Sequence, residues 1–279
     1  MKFDEIGEWS EIKLEIIKEY ACAYSTIMAA QKKKPFLKNL TCAYIDAFAG
    51  AGKHLSRTTG QYVKGSPANA LNIHPPLDDY FFIDLDAQKA SALKELSKDR
   101  SNVRVYEGDC NKLLLTEIFP KVKWDDFRRG LCLLDPYGLH LNWEVIRQAG
   151  RMKSIEIFLN FPVADMNRNV FWRNPQGVAS DDMARMNSYW GDESWRSVVY
   201  DKDLFGGDIK SSDNPAIADA FRERLKKVAS FSYVPQPIPM KNGQGAVVYY
   251  LFFASQNSTG GKIVKQIFEK YGGPDYKWR

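Results

Sequence analysis

Four acids stand where apolar runs stop. Asp46 ends the run from Leu40, and Asp84 ends Tyr80-Phe81-Phe82-Ile83, with Asp86 two residues on. Asp109 follows Val103-Arg104-Val105-Tyr106 and Glu107-Gly108, and Asp135 ends Leu131-Cys132-Leu133-Leu134. Taken singly, each carboxylate reads as a helix cap or an Asx-turn. Four at successive runs are a different matter, because strands laid side by side would bring their carboxyl ends to one crevice. A glycine turn, Phe48-Ala49-Gly50-Ala51-Gly52, follows the first acid. Glycine lets the backbone approach a ligand where a Cβ would collide.

Three nucleotide-site classes begin with a strand and a glycine turn. A phosphate-cradling P-loop needs Gly-x4-Gly-Lys-Ser/Thr. Here Ala47 through His54 lacks both the first glycine and the hydroxyl. A dinucleotide site needs Gly-x-Gly-x-x-Gly, and Leu55 stands where the third glycine belongs. The third class binds S-adenosylmethionine (SAM) and needs no phosphate cradle. It takes an acid after the second strand for the ribose hydroxyls and one after the third for the adenine amino group. Asp84 or Asp86 and Asp109 occupy those places, with Asp46, Phe48, Gly50 and Gly52 at the turn.

The elements that would position these residues can be read along the chain. Ile12, Ile16, Tyr20 and Tyr24 recur at helical spacing and predict a first helix with Ser10 as its N-cap. Five apolar runs then alternate with helical stretches, which predicts an α/β Rossmann-like fold with a doubly wound, mostly parallel sheet. Residues 53–65 read as a loop, and Ser66-Pro67 as the start of a helix to about Asn72. Residues 165–228 break the alternation and read as a mainly helical insertion, with Trp172, Trp190 and Trp195 as its core. β character returns at Phe231–Val234 and Ala246–Phe253, around a Lys241-Asn242-Gly243 turn, as a C-terminal β-hairpin. A last helix from about Gly261 would stop at Gly272-Gly273-Pro274. The whole, 1–279, reads as one domain with an N-terminal helical extension over 1–39.

These motifs resemble two families. Asp46-Ala47-Phe48-Ala49-Gly50-Ala51-Gly52 is similar to motif I of class I SAM-dependent methyltransferases. Tyr44-Ile45-Asp46 through Gly65-Ser66-Pro67, Gly108-Asp109-Cys110, Asp135-Pro136-Tyr137-Gly138 and Leu159-Asn160-Phe161-Pro162-Val163 together resemble the three-Cys-motif partner protein family (TcmP). That resemblance spans residues 10–260 and implies a methyltransferase-like fold, SAM as cofactor and a phage-type three-Cys-motif protein as partner. Asp46-x-x-Ala49-Gly50-Ala51-Gly52-Lys53 and Gly60-x-Tyr62 more faintly resemble the bacterial large-subunit ribosomal-RNA adenine-N6 methyltransferase. This second likeness implies an amino group on a nucleic-acid base as methyl acceptor.

Amino-methyltransferases typically carry Asp/Asn-Pro-Pro-Tyr/Phe after strand four. By that resemblance Asp135 and the Pro136 backbone would hold the acceptor amine and Tyr137 would stack on the base, which is often flipped out. The match is incomplete, since the aromatic comes one residue early and Gly138 takes its usual position. Asn160, Phe161 and Arg168 are candidates for the acceptor pocket. His54 and His140 receive no role, and Lys13 is read as a surface residue. Lys32-Lys33-Lys34-Pro35 with Lys38 is read as a solvated loop rather than an RNA contact.

Composition narrows the classes further. The excess of 39 basic over 34 acidic residues, a net charge of +5, permits a polyanionic partner without demanding one. Three histidines and four scattered cysteines show no metal-ligand or disulfide spacing. No apolar run approaches membrane-spanning length. Lys2-Phe3-Asp4-Glu5 is not a signal segment, so the expected address is the cytoplasm.

Overall fold

The computed structural model describes residues 3–202 and 206–272, so the Gly273-Pro274 stop lies outside the described residues. The chain opens with a short strand, β1 (Glu5–Ile6), and a long helix, α1 (Glu8–Lys32). β2 (Thr41–Asp46) leads to a small hairpin, β3 (Lys53–Ser56) and β4 (Tyr62–Lys64), and to helix α2 (Ser66–Ala70). The alternation then runs β5 (Asp79–Asp84), α3 (Ala87–Leu96), β6 (Val103–Glu107), α4 (Cys110–Leu113), β7 (Arg128–Leu134), α5 (Trp143–Met152) and β8 (Ile155–Phe161). Helices α6 (Val163–Asn169), α7 (Ser180–Trp190) and α8 (Trp195–Val199) follow, then β9 (Tyr200–Lys202), β10 (Asp208–Lys210) and α9 (Asn214–Lys227). β11 (Ile238–Lys241), β12 (Val247–Ala254) and α10 (Ser258–Gly272) complete the described chain.

Seven strands form the main sheet in the order β11-β12-β8-β7-β2-β5-β6. β12 alone runs against its neighbours β8 and β11. From β2 the chain moves outward through β5 to β6, then returns to the other side of β2 for β7 and β8. The order therefore reverses between β2 and β7, and the crevice outside their carboxyl ends is where such sheets bind ligands. Alternate side chains feed opposite faces. Tyr44, Phe82, Leu133 and Phe158 join one core with Ile16 and Tyr20 of α1 and Val264 of α10. Ile45, Phe81, Leu134 and Leu159 join the other with Ile146, Tyr189, Trp195 and Phe221. Burial on both faces explains why these strands read as unbroken apolar runs.

Several expected boundaries shift. Gly7, not Ser10, is the N-cap of α1, and Ser10 lies in its first turn, where its N–H donates to the Gly7 carbonyl. Residues 53–65 are not a plain loop: β3 pairs with β4 and, on its other edge, with β1. Their polar sequence reflects a small sheet with one face in solvent. Gly65 precedes α2, placing Ser66-Pro67 inside its first turn. β8 continues through Phe161, paired there with Tyr250 of β12, so Asn160 and Phe161 belong to a strand and not to a turn. Of the first hairpin arm only Tyr233 pairs, in an isolated bridge to Ser255, and the strand proper is Ile238–Lys241. Pro235 and Pro237 intervene, and Pro239 is tolerated because β11 is an edge strand. Trp190 and Trp195 are core residues, whereas Trp172 is exposed and its indole N–H donates to the Arg168 carbonyl.

Glu156, the second residue of β8, is a buried carboxylate. It accepts from the Tyr20 hydroxyl of α1 and from Ser255 Oγ at 2.8 Å, tying α1 and the end of β12 to the sheet. Burial pushes its carboxyl up, and the two hydroxyls oppose that shift.

Candidate functional site

The glycine turn is held to both neighbouring strands. The Ala47 N–H donates to the Leu133 carbonyl of β7 at 3.0 Å, and the Ala49 N–H to the Ile83 carbonyl of β5 at 2.9 Å. The Gly50 N–H donates to Asp84 Oδ2 at 2.8 Å, while Asp84 Oδ1 accepts from the Asp86 N–H at 2.9 Å. Gly50 has φ +65, and a Cβ there would meet only His54 Cε1 at 3.7 Å, so open space lies over it. Gly52 has φ +77, but a Cβ there would fall 2.7 Å from Leu96 Cδ2. Gly52 thus has a packing role against α3. Phe48 is half-buried and packs on the core.

Asp86 is the N-cap of α3, accepting from the N–H groups of Gln88 and Lys89 at 2.7 and 3.1 Å. Asp109 is the N-cap of α4 and accepts from the Asn111 N–H at 3.0 Å. Asn111 reaches across to the loop after β7, donating to the His140 carbonyl and accepting from the Asn142 N–H at 2.7 Å. The ends of β6 and β7 are so joined. Both acids are solvent-exposed, and capping leaves lone pairs on each carboxylate.

Asp135, just beyond β7, is paired with Lys13 of α1. Their side chains are only 25% and 8% exposed, respectively. This corrects the expectation that Lys13 lies on the surface. The Lys13 ammonium sits 5.1 Å from the centre of the Tyr249 ring, and the Tyr249 hydroxyl donates to the Trp9 carbonyl at 3.2 Å. Burial works against the Lys13 charge, but Asp135, Tyr249 and Asp46 outweigh it and hold the ammonium above its usual range. Burial lifts the Tyr249 phenol to about 12, against the pull of Lys13.

Asp46, the last residue of β2, is fully buried, and burial pushes its carboxyl up to about 7. Ser66 lies close enough to oppose that shift, yet Asp46 Oδ2 has no partner in hydrogen-bond geometry. Two more buried atoms near this crevice lack partners, Asn160 Oδ1 and His54 Nδ1. The Asn160 amide reaches the Pro136 carbonyl at 3.5 Å. His54 lies against the glycine turn, its Nε2 3.1 Å from where a Gly65 Cβ would stand. Burial lowers the affinity of His54 for a proton, and Lys13 adds to that. Buried polar atoms normally find partners, so an unpartnered one calls for a water, an ion or a ligand to answer it. The unpartnered Asp46 oxygen, the open space over Gly50 and the acids ending the next two strands lie together at the switch point of the sheet.

The remaining candidates divide. Tyr137 is 92% exposed and free to stack. Gly138 has φ +69, and a Cβ there would lie 3.0 Å from Asp165 Oδ2. The backbone therefore disfavours an aromatic at 138 and presents Tyr137 instead. Phe161 is a core residue: its ring packs 4.6 Å from Phe221 and 5.7 Å from Phe252, and offers nothing to an acceptor. Arg168 is exposed on α6. Asn167 is engaged within the fold by Asn214 and Lys210.

Lys13 and Tyr249 were not among the sequence candidates. The signal for Lys13 was its place on the buried stripe of α1, with Ile17, Tyr20 and Tyr24 at spacings of four, three and four. Tyr249 carries no such signal. Among the described residues no group of three or more His, Cys, Asp or Glu could hold a metal ion. No helix there is long and apolar enough to cross a membrane.

No family model matches the chain, and no curated protein matches it. Among solved structures, protein LPL1258 from Legionella pneumophila, of the family model DUF519, is similar with a TM-score of 0.53. It shares 13% identity, with 94% of each chain covered. A putative methyltransferase from Thermobifida fusca has a TM-score of 0.43 at 11% identity, covering 90% of this chain and 81% of its own. The CurJ carbon methyltransferase has 0.41 at 12% identity, covering 85% and 54%. The first likeness concerns the fold alone, and the other two are too distant to argue from. The three-Cys-motif partner family has no counterpart among these matches. In its strand order, its reversed β12 and its glycine turn after β2, the chain has a Rossmann-like fold of the methyltransferase type.

Proposed function

We propose that this chain is a SAM-dependent methyltransferase that acts on a nitrogen of a nucleic-acid base. The observation that carries the reading is the pairing of buried Lys13 with partly buried Asp135 at the sheet's switch point, beside a buried Asp46 oxygen with no partner. When bound, SAM supplies a methyl group on a positively charged sulfonium. Asp46 Oδ2 would accept from its ammonium, Asp84 from the ribose hydroxyls and Asp109 from the adenine amino group. Lys13 holds one oxygen of Asp135. The other oxygen, with the Pro136 carbonyl, would accept from the target amine and turn its lone pair toward the methyl carbon. Tyr137 would stack on the base once it leaves its helix. Transfer would make the nitrogen–carbon bond as the sulfonium carbon–sulfur bond breaks, and Asp135 would pass the proton of the acceptor nitrogen to water. Most of the rate gain in such a site is positioning.

A second reading keeps the cofactor but not the reaction: a SAM-binding accessory module for a three-Cys-motif partner protein. The incomplete motif after β7, with a single proline after Asp135, favours it. A nucleotide hydrolase is not proposed. Lys53 begins β3 rather than a helix, so the glycine turn lacks the helix N-terminus that would favour a phosphate.

Calorimetric titration with SAM, with ATP plus magnesium in parallel, tests the cofactor. Saturable SAM binding without ATP binding is expected, and the reverse would overturn the reading. Asp84→Ala should weaken SAM binding by about 1.5–3 kcal/mol, the scale of a charged hydrogen bond. Unchanged affinity would remove Asp84 from the site. Transfer of radiolabelled methyl to RNA and DNA oligonucleotides then separates enzyme from accessory module.

A further inference from the structure

The β3–β4 hairpin interrupts the path from the glycine turn to α2. It leaves at Gly52 and returns at Gly65, whose N–H donates to the Gly52 carbonyl at 2.9 Å and closes the neck. Residues 53–65 carry Lys53, Arg57 and Lys64 and no acid. Strand pairing sets Lys53 directly opposite Lys64, and Leu55 opposite Tyr62. Like charges facing each other across a sheet are destabilising. Both lysines are exposed, and neither has an ion-pair partner among the described residues. The acid brought to that face by β1, Glu5, is answered by Arg57, and Asp4 by Lys89. Tyr62 lies next to the lysine pair on the same face, 65% exposed, with Phe3 packed edge-on against its ring at 5.3 Å. The opposite face, bearing His54, is the one against the glycine turn.

An unneutralised lysine pair with a braced aromatic beside it on the same face fits a strand of nucleic acid. Phosphates would answer the lysines and a base would stack on Tyr62. We propose that the outer face of this hairpin is the nucleic-acid contact surface, holding a single strand at the rim of the site. The proposal rests on the nucleic-acid reading above and adds where the strand is held.

The test uses the full chain and a fluorescein-labelled, mixed-sequence single-stranded RNA, with single-stranded DNA as a second arm. Inorganic polyphosphate serves as a probe without bases. The double exchange Lys53→Ala, Lys64→Ala should weaken oligonucleotide binding about tenfold or more. It should also reduce the slope of log K against log salt by about 1.4, the value for two contacts to a single strand. Tyr62→Ala should weaken oligonucleotide binding by a similar factor and leave polyphosphate binding unchanged, since only bases stack. Calorimetric SAM affinity should hold in all three proteins, which also reports that they fold. Unchanged oligonucleotide affinity and salt slope in the lysine variant would overturn the surface and leave the nucleic-acid reading standing. An equal loss on Lys33→Ala, Lys34→Ala, at the far edge of the sheet, would overturn it too. If the unaltered protein binds SAM but neither oligonucleotide, the nucleic-acid reading itself falls, and the surface with it.

Discussion

Helix α1 joins the sheet through a lysine–aspartate pair at each end, and the two pairs are unlike. Lys13 and Lys32 are 19 residues apart, about 28 Å along the helix. At the far edge Lys32 binds both oxygens of Asp78, one of them at 2.6 Å. Asp78 also accepts from the Cys42 N–H at 2.6 Å, and its carbonyl accepts from the Asn102 amide at 3.1 Å. Those two side chains are 28% and 34% exposed. At the crevice Lys13 takes one oxygen of a more buried partner, Asp135, within reach of a neutral-prone Asp46 and an unpartnered Asn160 oxygen. One pair is a closed staple. The other keeps unspent acceptors in a low-dielectric place, where an unmade hydrogen bond is expensive. Scaffold and site are told apart by what each carboxylate has left to offer.

The largest contrast should appear on removing the two acids. Asp135→Ala should cut methyl transfer by about 100-fold or more, as expected when a positioning group is lost. SAM affinity by calorimetry should hold. Asp78→Ala should leave transfer within a few-fold and lower stability by about 1–2 kcal/mol in urea melts. If transfer survives the first exchange, Asp135 is not the acceptor's partner.

Removing the lysines sharpens the same comparison. Lys13→Met strands a partly buried carboxylate and should lower stability by about 3 kcal/mol, the low end for breaking a buried pair. Lys32→Met, at a pair about one-third exposed, should cost about 1 kcal/mol or less. Equal losses in denaturant melts would mean that the two ends of α1 are energetically alike.

A further contrast is a pH dependence confined to the crevice. The folded value of Asp46, about 7, lies above the ordinary carboxylate value of about 3.9. Between these values the folded chain binds more protons than the unfolded chain. The contribution of Asp46 is therefore complete below about pH 4 and is lost as pH rises through 7. Asp46→Asn should gain on the unaltered protein between pH 5 and pH 8, by on the order of 2.5 kcal/mol at most. Melting temperatures at the two pH values check it, and a constant difference would reject the titration.

The carboxyl-end acids were legible for a plain reason. A strand buried on both faces must be apolar along its length, and it meets polar chemistry only where the sheet stops. Asp46, Asp84, Asp109 and Asp135 therefore stood out without coordinates. Their double use did not: Asp86 and Asp109 cap helices, as the ordinary reading of each allows, while still lying at the crevice edge. Phe161 was misjudged because β8 runs two residues beyond its evident apolar run, held there by β12. The hairpin after Gly52 looked like loop because a small sheet with a wet face need not alternate strongly.

Local pattern determined the strand–helix alternation, the glycine turn and the four acids, since propensity, burial and backbone sterics act over a few residues. The tertiary structure alone decided that Lys13 meets Asp135 across 122 positions, that Tyr249 closes over that lysine, and that Asp46 is left with an unanswered oxygen. Those facts depend on how α1 and β12 pack against the sheet. A charge carries no mark in the sequence of the desolvation that packing will impose on it.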